Sequence, residues 1–317
     1  MSVSPCRVAV VGAGLMAREH LRAFGDVPGV ALVGVHSRTR ARAEALAAEF
    51  EVPVVTGSVE ELYEKSAADV VVVAVSELSA AAVSGECFAF PWTVLLEKPP
   101  GYKLRVAEEI RAAASAAGRR VLVGLNRRFY SSTRAVLDGL GAQDGTRFAL
   151  AQDQQDPQAA LAAGKPEEVV ENWMYANSIH VVDYLRLFCR GAVTKVTPVV
   201  RWRGVGSGLV VAQVEFDSGD TGLYQGTWDG PGPWAVSVST PQKRWELRPL
   251  EQASVQVRGE RRAEPIEPDG VETTFKPGFR RQAEAVVEAA QGRPSDAVSL
   301  DDAVETMRLI AAIFGVD

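Results

Sequence analysis

The apolar run from Arg7 to Val11 leads without a break into Gly12-Ala13-Gly14-Leu15-Met16-Ala17. No other stretch narrows the possible folds as far. Where a strand ends in Gly-x-Gly-x-x-Ala and hands over to a helix, each small residue has its own task. Gly12 permits the tight turn, Gly14 lets a ligand approach the backbone, and Ala17 lets the helix pack close to the strand. The start of that helix offers free N–H groups and a positive dipole end, which suits a pyrophosphate. Gly12, Gly14, Leu15 and Met16 are therefore expected to line a dinucleotide site.

The flanking pattern agrees. A helix (17–24) is followed by an apolar strand (30–35), an Ala-rich helix (40–50), and strands near 52–55, 69–75, 93–96 and 121–125. Continuous apolar strands alternating with helices indicate a parallel sheet covered on both faces. Residues 1–126 are thus expected to form a doubly wound α/β Rossmann domain. The second half, 127–317, changes character. A strand is expected at 146–152, then closely spaced strands near 192–203, 208–217, 221–228, 234–240, 243–250 and 253–259. Asp217-Ser218-Gly219-Asp220 is a hairpin signal. Such spacing suggests an antiparallel meander. The Ala-, Pro- and Gly-rich stretch 155–168 reads as a loop.

The second strand indicates which dinucleotide is bound. An acidic residue about 20 positions past the glycines would hold the ribose 2′-hydroxyl of NAD. This strand ends Gly34-Val35-His36-Ser37-Arg38, with no acid. Ser37 can hydrogen-bond a 2′-phosphate and Arg38 can pair with it, with Arg40 and Arg42 close by. NADP(H) is favoured over NAD(H), although the arginines would also suit a solvated helix start. His36 is read as lining the adenine pocket and His20 as structural or helix-capping.

The fifth strand ends unusually, in Glu97-Lys98-Pro99-Pro100-Gly101. Desolvation lowers the pKa of an ammonium, so a lysine at a buried strand end is a candidate acid or base. Pro99 restricts Lys98 to extended backbone, and the bond between them can be cis. After the sixth strand, Asn126-Arg127-Arg128-Phe129-Tyr130 falls at the carboxyl edge of the sheet, where open α/β folds bind ligands. Asn126 and Arg128 are candidates for contacts to substrate hydroxyls or a phosphate, or for interdomain packing by a salt bridge. Further on, Ile179, Val182, Leu185 and Phe188 form an apolar stripe at helical spacing. His180, Asp183 and Tyr184 share a different face, so Asp183 can orient the imidazole or satisfy the backbone. Trp173 and Tyr175 can stack on a sugar or fill the interior. Trp228 and Trp234 are expected to pack on the sheet.

Composition excludes several other classes. The net charge of -6 argues against general nucleic-acid binding. Cys6, Cys87 and Cys189 show no paired spacing, which fits a reducing cytoplasm. The longest apolar run, Val70 to Val75, is too short to span a bilayer, and no secretory leader is evident. The three histidines lack ligand spacing, so no metal site is expected. No Gly-x-Ser-x-Gly elbow occurs.

Taken in order, the fingerprint at 12–17, Glu97-Lys98-Pro99, Asn126-Arg127-Arg128-Phe129, His180-Val181-Val182-Asp183 and the terminal segment 279–314 resemble the Gfo/Idh/MocA oxidoreductases (glucose–fructose oxidoreductase, inositol dehydrogenase and relatives). The resemblance covers nearly the whole chain. It implies a C-terminal α/β domain with an open, mainly antiparallel sheet that binds substrate and forms a homodimer or homotetramer. It implies that Lys98 hydrogen-bonds the substrate oxygen beside the nicotinamide, that Glu97 lies near the nicotinamide ribose, and that His180 exchanges the proton. The activity implied is NADP-dependent hydride transfer at a carbonyl or alcohol carbon of a sugar, including nucleotide-activated ones. Reduction of an imine or non-sugar carbonyl is an alternative, as is a non-catalytic NADP-binding sensor. The chain departs from the family pattern in two places. Many members carry an aspartate where this chain has Ala176, which leaves Asn177 or Tyr175 to contact substrate. Ser76-Glu77-Leu78 replaces a Thr-Pro-Asn-like turn, with Ser76 still able to line the pocket.

Overall fold

The computed structural model describes residues 4–141 and 143–316. Its contacts divide the chain into two compact units, 1–126 with 273–304, and 127–272 with 305–317.

In the first unit the elements alternate. They are β1 (Cys6–Val11), α1 (Leu15–Gly25), β2 (Val30–His36), α2 (Arg40–Glu49), β3 (Val55–Thr56), α3 (Val59–Ser66), β4 (Val70–Val73), α4 (Ala80–Phe88), β5 (Thr93–Leu96), α5 (Leu104–Ala116) and β6 (Val121–Val123). The strands form one parallel sheet in the order β3-β2-β1-β4-β5-β6. Strand order reverses between β1 and β4, the switch point where such sheets bind ligands. The four valines of β4 are all fully buried, as expected for a strand covered on both faces.

The second unit contains α6 (Ser131–Gly141), β7 (Phe148–Gln155), α7 (Pro157–Ala162), α8 (Glu167–Glu171), α9 (Ile179–Phe188) and seven further strands. These are β8 (Val193–Val200), β9 (Leu209–Phe216), β10 (Thr221–Trp228), β11 (Ala235–Ser239), β12 (Lys243–Leu247), β13 (Ala253–Val257) and β14 (Glu264–Ile266). They form an eight-stranded sheet ordered β14-β13-β12-β11-β7-β10-β9-β8. It departs from a simple meander because β7 inserts between β11 and β10 and runs parallel to β10. Strands β7, β9 and β10 alternate between buried and half-exposed residues, so one face is covered and the other is not. The β9–β10 hairpin turns at Asp217–Asp220, with Gly219 at φ 83°.

The structure corrects two expectations and adds one strand. Residues 157–162 and 167–171 are short helices rather than loop, because the Asp156 carboxylate accepts the Ala159 N–H and Pro157 occupies the first turn. Strand β14 contains Pro265, which obscures it in sequence, but an edge strand tolerates proline. The second correction concerns the tail. The chain continues through α10 (Val271–Thr274), α11 (Phe279–Ala290) and α12 (Leu300–Phe314), and segment 273–304 belongs to the first unit, not the second. Phe279, Ala283, Val286 and Val287 complete the apolar cluster that holds Leu21 and Phe24 of α1.

Candidate active site

The glycine turn has a physical requirement beyond its φ of 123° at Gly12. A Cβ at Gly12 would overlap the carbonyl of Ala74, where the chain leaves β4. The Gly12 N–H meanwhile donates to the His36 carbonyl at 2.8 Å. Gly12 is thus wedged between the carboxyl ends of β2 and β4. Gly14 differs, since a Cβ there would meet open space. It is the N-cap of α1 and offers no side chain to the first-turn N–H groups, and that turn carries no acidic residue. The uncapped helix end, with Leu15 exposed beside it, fits a bound pyrophosphate.

At the end of β2, the His36 ring lies 3.1 Å from the Thr56 carbonyl through Nδ1. Ser37 Oγ accepts the Thr39 N–H at 3.3 Å, which leaves its hydroxyl proton for another acceptor. Arg38 and Arg42 are exposed, and Arg40 pairs with Glu44 at 2.7 Å. Ser37, Arg38 and Arg42 thus offer a hydroxyl proton and two exposed guanidinium groups at the end of β2.

Beyond β5, Glu97 and Lys98 are half-buried and the Lys98–Pro99 bond is cis. Glu97 Oε1 lies 2.6 Å from His20 Nε2, and the imidazole is 1% exposed. His20 is thus the residue that positions Glu97, a role that sequence reading left as merely structural. Burial pushes the Glu97 carboxyl up. The His20 hydrogen bond and the charges of His20, Lys98 and Lys276 outweigh this and hold it below the usual range. Lys276 comes from the tail, with its amine 3.4 Å from Met16 Sδ in the glycine turn. No sequence signal marked Lys276, because 260 residues separate it from Met16. Asn126 is buried and donates to the Pro277 carbonyl at 2.9 Å, so its amide secures the same tail segment. Ser76 Oγ is 2.9 Å from Ser79 Oγ.

In the second unit, a π-helical turn at Met174–Ser178 runs directly into α9. Such turns often mark functional sites. The apolar stripe of α9 is buried, and so are His180, Asp183 and Tyr184 on its other face. Asp183 is held from two sides. Its Oδ2 takes Arg128 Nε and its Oδ1 takes Arg128 Nη2, both at 2.6 Å, and Thr306 Oγ1 adds a third bond at 2.8 Å. Arg128 is engaged by the same fork, a pair within the second unit rather than an interdomain salt bridge. Tyr175 is fully buried and fills the interior, while Trp173 is half-exposed. Asn177 Nδ2 donates to Gln155 Oε1 at 2.8 Å. Gln155 Nε2 in turn donates to Asp153 Oδ1 at 2.6 Å, and Tyr224 donates to Asp153 Oδ2 at 2.8 Å. Burial pushes the Asp153 carboxyl up, against the bonds from Tyr224 and Gln155. This relay was not read from sequence, because it joins residues on β7, β10 and the π-turn. Trp228 packs against Trp202 and Phe314, and Trp234 stacks under Arg127 at 4.1 Å.

Residues 6–125 match the model of a family described as an oxidoreductase family with an NAD-binding Rossmann fold, Gfo/Idh/MocA. The match covers the parallel sheet of the first unit, β1 to β6. Inositol 2-dehydrogenase 2 of Paenarthrobacter aurescens (strain TC1) is 34% identical over 143 residues, 43% of this chain and 43% of that protein. The alignment therefore spans less than half of that relative. A dehydrogenase from Chromobacterium violaceum superposes with a TM-score of 0.82 at 18% identity, over 98% of this chain and 95% of that one. UDP-N-acetylglucosamine 3-dehydrogenase from Acidithiobacillus ferrooxidans superposes with a TM-score of 0.77 at 16% identity, over 97% and 96%. At these identities the superpositions establish the fold alone. No helix among the described residues is long and apolar enough to cross a membrane.

Proposed function

We propose that the protein is an NADP-dependent oxidoreductase acting on a carbonyl or alcohol carbon of a sugar or sugar derivative, including nucleotide-activated sugars. One observation carries this reading. The uncapped α1 end at Gly14 and the Lys98 strand end lie at the same carboxyl edge of one parallel sheet. A dinucleotide held on the first is thereby offered to the second. NADP(H) would supply the hydride acceptor or donor.

The chain's own groups do the rest. Gly12 and Gly14 admit the pyrophosphate, while Ser37 and Arg38 take the 2′-phosphate. Glu97, fixed by His20, accepts a hydrogen bond from the nicotinamide ribose. Lys98 hydrogen-bonds the substrate oxygen and stabilises negative charge developing on it. His180 exchanges the proton on that oxygen. Asn177 and Trp173 contact the substrate. The named relatives act on a polyol and on a nucleotide sugar, which supports a polyhydroxylated substrate.

A panel of ketosugars and nucleotide sugars, followed through NADPH absorbance, tests the activity. Lys98→Ala is expected to lower kcat about 100-fold with little change in the dissociation constant of NADP(H). Normal turnover in that variant would remove Lys98 from the mechanism. Arg38→Ala is expected to weaken NADP(H) alone, so equal affinities of the intact protein for NADP(H) and NAD(H) would overturn the cofactor assignment. Ala176 supports a second reading. Between Met174 and Phe188 the one carboxylate is Asp183, and it is engaged by Arg128. Reduction of an imine, whose nitrogen can bring its own proton, depends less on a second acid. Cyclic imines on the same panel decide between the two.

A further inference from the structure

A cavity of about 600 Å³ opens beside β6 in the first unit. Its wall includes Val121 at the amino end of β6 and the residues just before it, whereas the glycine turn follows the carboxyl end of β1. In a parallel sheet those are opposite edges, so the cavity is separate from the dinucleotide site. Arg111, Arg119, Arg120 and Arg293 line it against a single carboxylate, Asp301. That is a concentration of positive charge in a chain of net charge -6.

The existing partners neutralise little of it. Asp301 is 82% exposed and lies 3.9 Å from Arg111, a pair worth little in water. Arg119 donates Nε to the Phe88 carbonyl at 3.0 Å, and Arg120 donates Nη1 to the Ala289 carbonyl. Each spends one donor on an anchor at a helix end and keeps the rest of its fork. Helix-end capping accounts for those two arginines but not for Arg111 or Arg293. The Arg293 side chain has no hydrogen-bond or ion-pair partner among the described residues. Small residues such as Gly118 and Gly292 leave the space open. Ser299 Oγ accepts the Asp302 N–H at 3.1 Å, so its proton is available to a ligand oxygen.

We propose that this cavity is a second anion site, which binds a small phosphate-bearing molecule through Arg111, Arg119, Arg120 and Arg293. The chemistry favours phosphate because all four cations are arginines, whose planar forks match phosphate oxygens two at a time. The volume admits a ligand of sugar-phosphate or nucleotide size.

Isothermal titration of inorganic pyrophosphate into the full chain tests it, with NADP+ present in excess to fill the glycine turn. One saturable site per chain is expected, weakened by added salt. Arg293→Ala and Arg111→Ala should each weaken it at least tenfold. Arg262→Ala, an exposed arginine elsewhere, should not. Circular dichroism and melting temperatures establish that the variants are folded. Absence of saturable heat overturns the proposal. So does wild-type affinity in Arg293→Ala and Arg111→Ala, which would place the anion outside this cavity.

Discussion

Arg128 and Asp183 are both charged residues near a proposed site, yet their energetics are those of a structural pair. Their side chains are 16% and 5% exposed, and they meet through two hydrogen bonds of 2.6 Å. A fork-to-fork pair of this kind is strong because both partners are ionised and the geometry is planar. Removing one partner strands the other charge in the interior. Arg128→Met is therefore expected to lower the unfolding free energy by about 3–5 kcal/mol, read from urea denaturation. Adding Asp183→Leu should recover most of the loss, since Asp183 is then no longer stranded. An Arg128→Met protein of native stability would return Arg128 to a substrate role. Sequence spacing placed Asp183 on the His180 face of the helix correctly. It could not show that Arg128, 55 residues earlier, and Thr306, 123 residues later, would claim the carboxylate first.

At the scale of elements, Asp220 joins parts that local propensity leaves independent. Its carboxylate takes the Arg147 N–H just before β7 and the Arg190 N–H just after α9, each at 2.8 Å. It also takes the Arg190 guanidinium at 2.8–2.9 Å, from its own position beside the β9–β10 hairpin. Burial pushes this carboxyl up, but the Arg190 and Arg147 bonds dominate and bring it down to about 2. A carboxyl held below its unfolded pKa of about 3.9 contributes stability that is fully present above that value. The contribution is lost as pH falls through the folded value. Asp220→Asn is thus expected to destabilise the protein at pH 7 by on the order of 2 kcal/mol. It should also flatten the acid limb between about pH 4 and pH 2. Melting temperatures across that range check both, and parallel acid limbs for the two proteins would exclude the clamp. The turn residues Asp217–Asp220 were legible as a hairpin because turn chemistry is local. The second task of Asp220 was not, because its partners lie 30 and 73 residues away.

At the scale of the whole molecule, the tail from 273 to 304 shows where chain order and spatial order part. Its helix α11 places Phe279, Ala283, Val286 and Val287 in the core that α1 and the parallel sheet begin. The amino-terminal unit is incomplete without it. A fragment of residues 1–126 is therefore expected to lack a cooperative thermal transition and to expose apolar surface, read by calorimetry and dye binding. A sharp transition for that fragment would show that the tail is dispensable. Asn126, Lys276 and Pro277 make the same point at the site. The tail brings an amine to Met16 and receives the amide of Asn126, so it shapes the region around the glycine turn from the far end of the chain.

The sequence alone determined the parallel α/β half, the glycine turn, the Lys98 strand end and the run of strands that follows. Each of those is written in short-range terms: apolar runs, residues that permit a given φ, and turn signals. Tertiary structure alone decided that His20 positions Glu97, that Asp183 belongs to Arg128, that β7 threads into the middle of the second sheet and that the tail completes the first unit. Those outcomes depend on which distant groups meet once water is excluded. A buried charge takes whichever partner the fold brings within hydrogen-bond distance, and spacing along the chain does not encode that distance.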